Sequence, residues 1–195
     1  MDDLARFWPG RLDLGLRDRL LAAYDDPARS YHDRRHLVEV LGHVDDLAHD
    51  APFREAVLLA AWFHDAVYDG RADDEERSAR LAEESLPPGE LADEVARLVR
   101  LTRTHRPAPD DLAGAVLCDA DLAVLASDES RYADYVQAVR REHAHVEEPD
   151  FTRGRLAVLE DLLAKPTLFG STAAQQRWEL RARANLEGEV SRLRG

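Results

Sequence analysis

The sequence predicts an all-α fold, a helical bundle of roughly eight or nine helices. Apolar residues recur at three- and four-residue spacing almost throughout, and no stretch between turn signals sustains two-residue alternation. Proline and glycine stand at the junctions, at Pro27, Pro52, Pro87-Pro88-Gly89, Pro107, Pro109, Pro149, Pro166 and Gly170. Each of them interrupts or precedes a helical pattern.

Taken in chain order, the first clear stripe is Leu37, Leu41, Val44 and Ala48, with Asp33 ahead of it as the expected N-cap. The run from Ala56 to Phe63 is apolar on every side, which predicts a central, fully buried helix. Asp73 is the cap expected for the next helix, before Leu91, Val95, Leu98 and Thr102 form a stripe that Pro107 stops. Residues 112–126, LAGAVLCDADLAVLA, form another nearly apolar helix, expected to start from Asp110. Asp128 precedes the stripe Tyr132, Val136, Val139, His143 and Val146, and Leu156, Leu159 and Leu163 follow. A last long helix, about 173–193, is expected to pack back as a strap on a core of about residues 29–165. With no internal repeat and no low-complexity segment, residues 1–195 are read as a single domain.

The bulk composition limits the function. Of the 195 residues 45% are hydrophobic, enough for a real core, and the formal net charge is −13. So acidic a chain repels nucleic-acid polymers and anionic membranes, whose binding depends on Lys and Arg displacing counterions. A small phosphorylated ligand stays compatible, because a bound cation reverses the local field. The Ala56–Phe63 run is far too short to span a bilayer. Cys118 is the lone cysteine, so no disulfide forms within the chain. The segment Met1–Gly10 lacks the basic-then-apolar order of a signal peptide. Together these features predict a cytoplasmic protein.

The informative residues are polar groups where periodicity predicts core, since a buried, unpaired ion costs on the order of several kcal/mol. His64 and Asp65 directly follow the all-apolar run. Asp119 and Asp121 are the only charges in residues 112–126. Two positions apart on a helix, they diverge by about 200°, so both cannot face one point. His36 falls in the first turn after Asp33, where the positive helix end disfavours imidazolium and keeps a nitrogen free to ligate. His32 lies close by, so that one of the two is a ligand and the other a flanking group, or both line the site. His105 ends its stripe just before Pro107, where an imidazole also suits the negative end of a helix dipole. For His43, His49, His143 and His145 the spacing predicts only packing or solvated roles.

The ordered set His36, His64-Asp65 and a later Asp resembles the HD-domain superfamily, whose signature is His … His-Asp … Asp on an all-α core. The likeness extends to YHDRRH (31–36), FHDAVYD (63–69), DEERSA (74–79), TRTH (102–105) and DADLAVLA (119–126). It continues through VRRE (139–142), FTRGR (151–155) and RARANL (181–186), as in one bacterial branch of metal-dependent HD phosphohydrolases. Asp74 stands where that branch has Asn, and His143 where it has Tyr. The resemblance implies His36, His64, Asp65 and Asp121 as metal ligands, with Asp119 as a supporting carboxylate behind them and His32 and His105 lining the cleft. Asp65, His105, His32 and Asp119 are then the catalytic candidates, and Arg106, Arg140 and Arg155 the candidate phosphate clamps.

Two imidazoles and two carboxylates suit a divalent ion such as Mn, Fe, Co, Ni or Zn, with Mg admissible, and leave open positions for water and a phosphate oxygen. The expected activity is hydrolysis of a phosphate ester or anhydride of a small molecule, a nucleotide by the family's habit, with metal-activated water as the nucleophile. Other readings are an HD regulator that binds a nucleotide without turning it over, a di-iron HD oxygenase, and a purely structural helical module. The last leaves Asp119, Asp121 and the His64-Asp65 pair without compensation.

Overall fold

The apolar stripes become the buried faces of real helices. The computed structural model describes residues 3–195, so Met1 and Asp2 of the expected acidic start lie outside the described residues. Among the described residues a short 3-10 turn, Asp3–Phe7, leads into α1 (Leu14–Tyr24), α2 (Arg34–Ala48), α3 (Arg54–Phe63), α4 (Asp74–Ser85), α5 (Glu90–Leu101) and α6 (Leu112–Leu122). A second 3-10 turn, Ala123–Ala126, continues α6, and α7 (Glu129–Glu142), α8 (Glu148–Ala164) and α9 (Thr172–Arg194) complete the chain. No strand occurs among them, and none of the helices is long and apolar enough to cross a membrane.

Helix α3 is central, as its composition requires. Every side chain from Ala56 to Phe63 is buried, and α2, α5 and α6 pack around it. Leu37, Leu41 and Val44 of α2 and Val95 and Leu98 of α5 are fully buried against this hub. A second apolar cluster gathers Tyr31, Leu125, Tyr132, Tyr135, Leu159, Phe169 and Leu186 under α7, α8 and α9. The strap α9 packs on α8 and on the 123–126 turn.

Capping follows the sequence in part. Asp33 accepts the amides of Arg35 (2.9 Å) and His36 (3.2 Å), and Asp128 accepts that of Arg131 (2.9 Å). At the start of α6 the cap is Asp111, not Asp110. Its carboxylate accepts the Gly114 amide at 2.8 Å and is gripped by Arg97. Gly114 is required there, since a Cβ would come within 2.3 Å of that carboxylate. Asp73 flanks α4 but its side chain caps nothing; Asp74, buried in the first turn, instead accepts the Asp69 and Arg71 amides at 2.8 and 2.9 Å. The stripe carried to Val146 outlasts its helix: α7 stops at Glu142, and residues 143–147 turn the chain into α8. Pro149, lacking an amide proton, fits the first turn of α8.

Asp119 corrects one expectation. Its carboxylate is 1% exposed and accepts the amides of Gly170 (2.6 Å) and Ser171 (2.8 Å), which anchors the start of α9 to α6. Gly170 comes so close that a Cβ there would lie 2.9 Å from Ala115 Cβ. The divergence of positions 119 and 121 on α6 directs Asp119 to the strap, where backbone amides take both of its carboxylate oxygens, and not to the side chains around Asp121 as expected.

Asp119→Ala leaves two buried amides unpaired. It is expected to lower stability by about 2–3 kcal/mol in chemical denaturation while Asp121 stays available.

Candidate metal centre

Three helix ends converge on one buried point. His36 comes from the first turn of α2, fixed by the Asp33 cap. His64 and Asp65 leave the C-terminus of α3, and Asp121 is the penultimate residue of α6. The Nε2 atoms of His36 and His64 lie 3.1 Å apart. Asp121 Oδ1 is 3.1 Å from His36 Nε2 and 3.6 Å from His64 Nε2. Asp65 Oδ2 is 3.4 Å and 3.1 Å from the same two nitrogens. His36, His64 and Asp121 by themselves form a group able to hold a metal ion, and Asp65 faces both imidazoles from beside it.

The donor chemistry fits a divalent cation. His64 Nδ1 bonds to the Ala61 carbonyl at 2.8 Å, which in the neutral ring turns the Nε2 lone pair toward the centre. Two such nitrogens 3.1 Å apart repel unless a proton or a cation lies between them. Burial pushes both imidazoles toward neutrality, yet the carboxylates of Asp121 and Asp65 outweigh it: His36 is raised to about 9, and His64 well above the usual range. Burial likewise opposes charge on Asp65 and Asp121, and the neighbouring imidazoles hold both carboxyls well below their ordinary values. Without a metal the cluster balances its charge with protons; a cation can take their position.

The surroundings hold these groups in register. His105 Nε2 bonds the second oxygen of Asp121 at 2.7 Å. His105 adopts a left-handed backbone, φ 49°, with its carbonyl accepting Lys165 Nζ at 2.9 Å. The C-terminus of α3 is capped by Arg29, whose guanidinium donates to the carbonyls of Asp65 (2.6 Å) and Ala66 (3.2 Å). The hydroxyl of Tyr24 accepts the Asp65 amide at 3.3 Å and donates to the Trp62 carbonyl at 3.3 Å.

His32 lies on the rim of the centre, its ring stacked on Tyr68 at 4.0 Å and 5.7 Å from the ring of His36. Its Nδ1 is bound by Glu142 at 2.8 Å. The other Glu142 oxygen accepts the amides of Ser30, Tyr31 and His32 at 2.8–2.9 Å, so one carboxylate at the end of α7 fixes the whole 30–32 segment. Sequence reasoning gives Arg29 no role and Glu142, within the family-like VRRE segment, at most that of a surface partner for Arg140; the structure pairs Arg140 with Glu148 instead.

The clamp candidates separate. Arg155 lines the cleft of about 300 Å³ that opens on His32, His105 and Asp121, but its guanidinium is buried against Glu189 (2.7 Å) and Tyr135 (3.1 Å). Arg106 pairs with Asp161 on the surface at 2.7 Å. Arg140 bonds Glu148 at 3.0 Å and the carbonyls of His143 and Val146. The structure brings neither Arg106 nor Arg140 to the cleft, and Arg155 acts first as an internal ion-pair partner.

Burial opposes ionisation of Glu142, but the His32 imidazole and the amides of Tyr31 and His32 depress its carboxyl to about 2. A depressed carboxyl stabilises the fold above its ordinary value near 4.5, and that contribution is lost as pH falls toward about 2. Glu142→Gln is therefore expected to remove on the order of 3 kcal/mol at neutral pH and to flatten the acid limb between these values, as read from urea midpoints against pH.

No family model matches the chain, and neither the curated proteins nor the solved structures contain a match to it.

Proposed function

We propose that the protein is a metal-dependent phosphohydrolase acting on a small phosphorylated molecule. The observation that carries this reading is the convergence of His36, His64 and Asp121, with Asp65 beside both imidazoles, at a point where Asp121 opens on a cleft. The likeness of the surrounding segments to HD phosphohydrolases supports it, and implies a nucleotide as the first substrate class to try.

A divalent ion held by these four side chains would polarise a phosphoryl oxygen and acidify a water molecule. Mixed nitrogen and oxygen donors suit Mn, Fe, Co, Ni or Zn, with Mg also admissible. His105 orients Asp121 through its second oxygen, as an outer partner fixes a ligating carboxylate. His32, with Nδ1 held by Glu142, has Nε2 left to deliver a proton to the leaving oxygen. Asp65, beside both imidazoles, is suited to accept a proton from the attacking water. The strained backbone of His105 supports a functional reading, since left-handed non-glycine residues gather at working sites.

The decisive experiment measures metal content and turnover of a phosphate-ester panel together. Wild-type protein is expected to hold about one ion per chain. Asp121→Ala should lose both ion and turnover, and full turnover in that variant would sink the proposal.

His105→Ala is expected to weaken metal affinity by about 10- to 100-fold without unfolding the chain, measured by competition with a chelator. Unchanged affinity would remove His105 from the site.

A further inference from the structure

The cleft over the metal centre does not end there. Four of its walls, Val139, His143, Arg155 and Val158, also line a second hollow of about 330 Å³ between α7 and α8. Sharing these residues, the two hollows make one groove, with His32, His105 and Asp121 lining one half and Val146 and Phe151 the other. It lies where consecutive helices pack mainly on other partners: α7 on the 123–126 turn and α8 on α9. One side follows Tyr135 and Val139 of α7 and His143 just past its end, and the other follows Gly154, Val158 and Leu162 along α8. Each set is spaced by four residues, so each forms a straight stripe.

The chemistry of the walls selects the occupant. Leu122, Val124 and Leu125 face the inner half, while Val158, 52% exposed, lines both halves. The polar wall groups are already committed: Asp150 to Arg153, Arg155 to Glu189 and Tyr135, His143 Nδ1 to the Val139 carbonyl. A nucleobase in this groove would give up hydrogen bonds to water and find few in return. A hydrocarbon chain gives up nothing and gains burial.

Building on the metal-centre reading, we infer that the groove holds an extended apolar chain attached to the phosphate, so that the substrate class is the phosphate ester of a lipophilic alcohol rather than a nucleotide. Gly154 contributes to this shape. It stands in mid-helix, where glycine costs stability, and a Cβ built on it meets nothing within 4 Å. Its missing side chain is free space in the groove.

The test uses the Mn²⁺-loaded protein and alkylphosphonates from methyl to octyl, with AMP as the polar comparison, by calorimetry. Affinity is expected to rise about three- to fourfold for each added methylene until the groove is filled. Gly154→Leu and, independently, Val158→Glu are expected to flatten that rise; both positions are exposed, so both variants should fold. Affinity independent of chain length in wild type, a rise that survives both substitutions, or AMP binding tighter than octylphosphonate would overturn the groove while leaving the metal centre standing. Absence of any Mn²⁺-dependent binding, methylphosphonate included, would overturn the metal-centre reading and this inference with it.

Discussion

The structure turns on a conflict between burial and charge at the end of α3. The all-apolar run Ala56–Phe63 of α3 delivers His64 and Asp65 into the interior, where ions are stable only if compensated. His36 and Asp121 supply the compensation from α2 and α6, and the directions of those two helices follow from it. The backbone needs the same care, because carbonyls at a buried helix end must find donors. Arg29 and Tyr24 meet that need from the α1–α2 connection and from α1, so even the first helix is tied to the centre.

The second half of the chain closes around this centre through single polar contacts. Glu142 reaches back from α7 to fix residues 30–32, and Asp119 ties α6 to the start of α9. Arg155 and Glu189, joined by Tyr132 and Tyr135, hold α7, α8 and α9 at the spacing that leaves a groove between the first two. These bonds join residues far apart in sequence inside apolar surroundings, where position matters more than it does for a surface pair.

The helices and most of their buried faces were legible because periodicity is a local property. Leu37, Leu41 and Val44 lie where their spacing puts them, and Ala56–Phe63 is as central as its composition demands. Asp121 could be separated from Asp119 only by the family likeness, although helix geometry already required the two to face different ways. The true partners of Asp119 lie fifty-one and fifty-two residues onward in a glycine-serine turn, and no local pattern encodes such a contact. Glu142 escaped notice for the same reason: an acidic residue ending a charged helix looks solvated until the 30–32 segment arrives beside it. Arg106 and Arg140 were drawn to the site by residue type and by the family-like segments around them, and carboxylates nearer at hand claimed them.

The bond from Asp119 to Gly170 and Ser171 has a consequence for how the protein comes into being. All four donors of the centre have been synthesised once residue 121 leaves the ribosome. The helix that carries Asp121 has no tether on its opposite side until the backbone around residue 170 arrives. A nascent chain halted before that turn would own every ligand and still lack the clamp that sets α6 in its final position. Only a chain completed past residue 170 can hold α6, and with it Asp121, from both sides.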